Sequence, residues 1–396
     1  MARTALFSSS VLSSASSGHR LPSLQVTLAF VAACGGDRLY WERRWRTVSG
    51  TMAAEVPATR AAEPEPPVVR PAQLPVGPRG FPGHSHLDPQ VGLSRSPLVI
   101  SGPVGVGKSD FALRRAHALV AATPDGQLYA DLDSSETASG EVALGNLLHA
   151  LVPAEQVPDD LGRQIGLYRS LLARRRVLVL LENVRDERQV RPLLAETTHG
   201  ALILVSRTPL LGLRDVRRLR IGVLQRSDSV ALIEGLVGER ASADREACER
   251  LAEACGDLPL ALDVAARRLA ARPELSLRDV VARCADPALV LDWLRIGDVS
   301  VRDRLASVYR RLSPPAMSVL RQLGRGAEDE VDVPGVASAL GLGVLAVDEL
   351  LEELVEVGLL RSTGRPGGRR TDPLLHAFAA EQAVSAPREG VRRACS

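Results

Sequence analysis

"SGPVGVGKSD", residues 101–110, holds the only lysine among the 49 basic residues of this 396-residue chain. A drift toward arginine explains the other 48 but not the exception. The stretch Gly102-Pro103-Val104-Gly105-Val106-Gly107-Lys108-Ser109 fits G-x-x-x-x-G-K-[ST], a loop whose backbone N–H groups wrap phosphates. A compact ammonium on a thin stem reaches the β and γ oxygens from inside such a loop, where a planar guanidinium fits poorly. The loop needs a strand before it and a helix after it. "SPLVIS" (96–101) is a short apolar run that reads as a buried strand. Residues 108–122 have helical spacing, with Phe111, Leu113, Ala116 and Leu119 available for burial. In that setting the loop amides and the helix N-terminus form an anion nest. Gly102, Gly105, Gly107, Lys108, Ser109 and Asp110 are the candidate nucleotide contacts, with the Ser109 hydroxyl on Mg²⁺.

Outward from the loop, strands and helices alternate. "QLYADLD" (127–133) reads as a strand, and 141–152 and 160–174 as helices. "RVLVLLEN" (176–183) and "ALILVSR" (201–207) are uninterrupted apolar runs, as expected of central parallel strands covered on both faces. A helix over 187–196 separates them, and "VRRLRIGVL" (216–224) reads as a last strand. The fold class expected is α/β, a doubly wound parallel sheet of the P-loop NTPase type. Residues 227–295 show amphipathic helices without a convincing strand. A third unit follows, with helices at 301–322, 333–340 and 344–357 and then "LLRSTGRPGGRRTDPLL", which reads as a hairpin. Three helices and a hairpin make a winged-helix arrangement. The expected layout is a disordered leader and Pro-rich linker (1–72), a nucleotide-binding domain (73–224), a helical domain (225–297), a winged-helix domain (298–388) and a disordered tail (389–396).

Composition sets the frame. Hydrophobic residues make up 45% of the chain, enough for a sizeable core, and a net charge of +2 with mixed signs gives no global sign of a polyanion partner. The five cysteines, at 34, 248, 255, 284 and 395, include no C-x-x-C pair and read as reduced thiols of a cytoplasmic protein. His84 and His86 have no further ligands at metal spacing and read as a solvated loop. The apolar run ending at Cys34 resembles a lipoprotein signal, yet it is too short to span a bilayer. Residues 1–51 are taken as a disordered or wrongly assigned leader, and no membrane partner is expected.

Two further residues complete a nucleotide site. Glu182 ends a central strand, where an acid, usually Asp, would hold the Mg²⁺ shell. Asn183 follows it and cannot take a proton, so hydrolysis should be slow. Arg207, at the end of the next central strand, can read a γ-phosphate.

"LVISGPVGVGKSDFA", "RRRVLVLLENVRDERQVRPLL", "ALILVSRTPLLGL", "CGDLPLALDVAARRLAARPELSL" and "RLASVYRRLSPPAMSVLRQLG" occur in an order that resembles NB-ARC proteins of the STAND class. Over roughly 73–385 the chain is most similar to the ATPase region of antibiotic regulatory proteins of the SARP type. That resemblance implies an ATP/ADP-binding signalling switch with Mg²⁺, slow hydrolysis coupled to domain rearrangement, and a protein partner or self-association. It places Pro259 of "GDLPL" against adenine. His84 stands where the family carries an adenosine-cupping Arg. Asp372-Pro373 stands where the family's His-Asp pair senses the ADP β-phosphate, and an anionic Asp there would repel it. The family's DNA-binding domain and helical repeats have no counterpart in the sequence read here, so a bare switch module is expected.

Three other functions fit the sequence less well than the switch. A small-molecule kinase would need a lid arginine cluster and an acceptor pocket that the later regions do not supply. A GTPase needs N-K-x-D, and the only lysine lies in the loop. A DNA-binding regulator would place 344–360 in a groove, but Asp348, Glu349, Glu352, Glu353 and Glu356 would face phosphates there with no Lys or Arg on that helix.

Overall fold

The computed structural model describes residues 21–54, 70–77, 83–134, 139–326, 330–365 and 367–385. The chain divides into two compact units, Met1–Val68 and Val69–Ser396. The first contains two helices, α1 (Leu24–Ala33) and α2 (Arg38–Ala54), where the sequence suggested a disordered leader. The physical reason is local. The Ser23 side chain caps α1, Leu28 and Val31 are buried, and Trp45 Nε1 donates to the Pro22 carbonyl at 2.7 Å. The Pro-rich stretch 55–69 and the tail 389–396 lie outside the described residues.

In the second unit, Ala72 bridges to Gln127 of the sheet, next to the domain start expected at residue 73. Five parallel strands form that sheet: β1 (Leu98–Ser101), β2 (Gly126–Asp131), β3 (Val177–Val184), β4 (Ala201–Ser206) and β5 (Arg217–Arg220). Their order is β2-β3-β4-β1-β5. Alternating side chains feed two cores, one on each face. Leu98 and Ile100 of β1 join Phe111, Ala112 and Ala116 of α3 (Lys108–Leu119). Val99 points the other way, into the core with Leu144 and Leu148 of α4 (Gly140–Leu151) and Tyr168 and Leu172 of α5 (Leu161–Arg174). The helix expected over 187–196 is only one turn, α6 (Glu187–Val190), followed by a 3-10 turn that contains Pro192.

The rest of the unit is mainly helical and packs on the first face. It runs through α7 (Arg226–Val237), α8 (Glu239–Ser242), α9 (Arg245–Ala254), α10 (Pro259–Ala270), α11 (Leu277–Ala285) and α12 (Val290–Trp293). A small antiparallel pair, β6 (Arg295–Ile296) and β7 (Val299–Ser300), leads into α13 (Val301–Tyr309) and α14 (Pro314–Leu323). The sequence suggested one helix over 301–322. Two form because Ser313 caps α14, and Pro314 and Pro315 at its start have no N–H to continue α13. After α15 (Val333–Leu340) and α16 (Val344–Glu356), strands β8 (Arg361–Ser362) and β9 (Arg369–Arg370) pair antiparallel ahead of α17 (Pro373–Ser385). Among the described residues no single helix is long and apolar enough to cross a membrane.

The acids of α16 have structural partners. Arg369, its side chain only 3% exposed, donates to Asp348 at 2.7 Å and also pairs with Glu352. Glu353 accepts from the Ser313 backbone N–H at 3.1 Å and from its hydroxyl at 3.0 Å. Three of the five carboxylates named above are therefore used inside the fold.

Candidate functional site

β1 and β4 are neighbours whose outgoing connections run to opposite edges of the sheet, β1 to β2 and β4 to β5. Such a switch in direction opens a crevice at the C-terminal ends of the two strands. The glycine-rich loop leaves β1 at that point and Arg207 follows β4. The loop delivers Lys108 to the first turn of α3 from a left-handed Gly107.

Lys108 Nζ donates to the Pro103 carbonyl at 2.7 Å. Burial, and then the Arg207 guanidinium, bring its pKa down to about 8, against the pull of Glu182. The neighbouring Ser109 hydroxyl donates to Glu182 Oε2 at 2.7 Å. Glu182 is buried, and burial pushes its carboxyl up to about 7 despite that bond. Two hard oxygens this close suit neighbouring positions around Mg²⁺, whose bonds of about 2.0–2.1 Å put adjacent ligands about 2.9 Å apart. A buried carboxylate short of positive charge is also the donor that a divalent cation would stabilise. Asp110 is held up by burial and by Asp263, opposed by Arg267.

A cavity of about 610 Å³ opens over these groups. Its floor includes Gly105, Gly107, Lys108, Ser109 and Asp110. Arg207 stands on one wall, and Pro259, Leu260 and Arg267 of α10 stand on another. Arg304, Val308 and Arg311, on and just after α13, and Val357 complete it. Gly102 lies outside this lining, packed against Ile221 of the segment after β5. Two glycines let the later chain close on the loop. Gly105, at φ 79°, accepts from the Leu260 N–H at 3.1 Å, and a Cβ there would press on Leu258 and Leu260. Gly358, at φ 78°, lies so near Pro103 that a Cβ would overlap the proline Cα.

Several residues of the site escaped the sequence reading. His84 is not in a solvated loop: it is buried, its Nε2 lies 3.0 Å from the Val106 carbonyl, and it meets Phe111 edge-on. Burial lowers its pKa, and the ring packs against the glycine-rich loop at Val106. Asp372 does not line the cavity. It caps α17 through the Leu375 N–H at 2.9 Å and pairs with Arg361 at 3.2 Å, so its charge is spent there rather than on a phosphate. Asp131, in register with Glu182 on the adjacent strand, accepts from the Asn183 amide at 2.8 Å. The C-terminal end of "QLYADLD" was the available signal for Asp131 and Asp133. Nothing in an arginine-rich sequence singled out Arg304 or Arg311.

No family model matches the chain. It is 36% identical over 366 residues to the regulatory protein AfsR of Streptomyces coelicolor, a match that takes in 88% of this chain and 37% of that protein. The chain is homologous to part of the AfsR regulatory proteins. AfsR of Streptomyces griseus is 35% identical over 355 residues, 86% of this chain and 36% of that protein. The chain thus spans a little over a third of the length of these AfsR relatives. A match of that extent cannot be confined to the sheet. It must take in much of the helical region that walls the cavity. Among solved structures, a STAND protein with a tetratricopeptide repeat sensor from Pyrococcus horikoshii aligns with a TM-score of 0.37 at 14% identity, covering 80% of this chain and 44% of that one. Cdc6p of Pyrobaculum aerophilum aligns with a TM-score of 0.37 at 14% identity, covering 78% and 96%.

Proposed function

We propose that the chain binds ATP and ADP with Mg²⁺ and acts as a nucleotide-state switch within a regulatory protein, hydrolysing ATP slowly. The observation that carries this is the construction of the cavity. Its floor is the loop, whose Ser109 bonds the buried Glu182 just outside the lining, while its walls come from α10, from the 304–311 stretch and from Val357. What occupies it therefore biases how the parts of the chain pack. That bias is what a ligand needs in order to shift a conformational equilibrium.

In this reading the loop amides and Lys108 hold the phosphates, Ser109 and Glu182 hold Mg²⁺, and Pro259 flanks the base. Gly102 shapes the loop from outside the pocket. Bound Mg²⁺ would neutralise phosphate charge. The test is calorimetric titration of the full chain with ATP and ADP in the presence of Mg²⁺. Failure of both to bind ends the reading.

Arg207 serves as the γ-phosphate reader. Its Nη2 donates to Ser307 Oγ at 3.4 Å, while Nη1 is buried without a hydrogen-bond partner. An unsatisfied buried donor of this kind costs free energy unless a ligand completes it. Arg207→Ala is expected to weaken ATP about tenfold more than ADP. Equal losses for the two nucleotides would remove it from that role.

The regulatory output runs through a protein partner or self-association. Pairing of the α16 acids with Arg369 and Ser313 supports a packing role for that helix rather than groove insertion. The full chain is therefore expected to show no sequence-specific DNA binding. A gel shift at moderate salt that resists competitor DNA would overturn this.

A further inference from the structure

Three arginines line the same cavity as Lys108, and among the described residues one carboxylate pairs with them. Arg207 comes from the end of β4, Arg304 from α13 and Arg311 from the turn that follows α13. Arg311 Nη2 lies 2.9 and 3.0 Å from the two oxygens of Asp133, just beyond the end of β2. Arg304 makes no ion pair among the described residues. The three are close enough to act on one another. Burial lowers the Arg207 pKa, Arg311 and then Arg304 lower it further, and Asp133 opposes them.

Like charges gathered in a half-buried cleft repel unless an anion joins them. The cavity already has a polyphosphate floor, so the anion that reaches this wall is the terminal phosphate of a nucleotide seated on the loop. We propose that Arg311, seconded by Arg304, distinguishes triphosphate from diphosphate, and that Asp133 holds Arg311 when no terminal phosphate is there to take it. The inference rests on the nucleotide-binding reading above.

The exchange is physically easy. The Asp133 and Arg311 side chains are 36% and 45% exposed, and a pair this open contributes little to stability. A guanidinium on phosphate makes strong forked contacts that a partly desolvated cleft strengthens. Once Arg311 turns to phosphate, Asp133 is left facing another anion. Its charge therefore sets how much better the triphosphate must bind before the contact switches. The link that breaks is one between the sheet and the chain after α13, so nucleotide state changes what ties those two parts together.

The test uses the full chain with Mg²⁺ and the ratio of ADP to ATP dissociation constants from calorimetry. Arg311→Gln is expected to lower the ratio about tenfold while ADP affinity stays within about twofold, which also reports an intact fold. Arg304→Gln should lower it less. Arg311→Lys, which keeps the charge and loses the fork, should fall between Gln and the parent. Asp133→Asn should raise the ratio, and that rise should be smaller when combined with Arg311→Gln, where only the direct repulsion between Asp133 and the phosphate is removed. An unchanged ratio in Arg311→Gln, equal loss of both nucleotides, or an Asp133→Asn effect that is undiminished in the double variant each overturns the proposal while leaving nucleotide binding in place. A parent chain that binds neither nucleotide overturns both.

Discussion

Lys108→Ala is expected to lose about 10²–10³-fold in affinity for both ATP and ADP and to keep its fold. The lysine is the one cation inside the loop. It is half-buried near Arg207, and its pKa has fallen to about 8. A charge held at such a cost to solvation is worth most when it meets another charge. A charged hydrogen bond contributes about 1.5–3 kcal/mol, and contacts to two phosphates reach the loss given. The fold should survive because the side chain's own hydrogen bond is a single local one to Pro103, while α3 is fixed by Phe111, Ala112 and Ala116. Calorimetry gives the affinities and a thermal melt checks folding. Near-parental ATP affinity would dismiss the site. The same amine sets an upper pH limit. It is charged below its pKa and neutral above it, so ADP affinity measured without Mg²⁺ should decline as pH rises past about 8.

The second large effect concerns turnover. Unaided ATP hydrolysis should lie orders of magnitude below the ~10 s⁻¹ typical of enzymes. General-base assistance is worth about 10²–10⁴ in rate, and the residue after Glu182 cannot supply it. Asn183 sits at φ 55° with its amide tied to Asp131 at 2.8 Å, so it can orient a water but not deprotonate one. Asn183→Asp should speed hydrolysis about tenfold or more in single-turnover assays. Rapid steady-state phosphate release by the parent chain alone would refute the slow-switch reading.

The sheet was legible because its central strands β1, β3 and β4 are mostly apolar runs and its loop follows a strict spacing. Periodicity of that kind survives in a linear reading. Glu182 and Arg207 were legible for a related reason: in a parallel sheet, strand ends converge on one edge. The contacts that close the cavity were not. They join residues more than a hundred positions apart, such as Gly105 with Leu260 and Pro103 with Gly358, and no local pattern encodes them. The partner of the α16 acids was not legible for the same reason: Arg369 reaches Asp348 and Glu352 from the hairpin. His84 looked solvated because two polar neighbours hid one inward-facing ring. A single helix over 301–322 ignored the stop that Ser313 and two prolines impose.

Gly358 seated on Pro103, and Leu260 bonded to Gly105, make a cover over the phosphate loop that belongs to distant parts of the chain. If the chain is the switch proposed above, release of its nucleotide would require those contacts to open, and residence time would follow helix packing as well as the loop's own grip. A partner that loosened those helices would then act as an exchange factor without touching the nucleotide, and one that clamped them would lengthen the interval over which the nucleotide is kept.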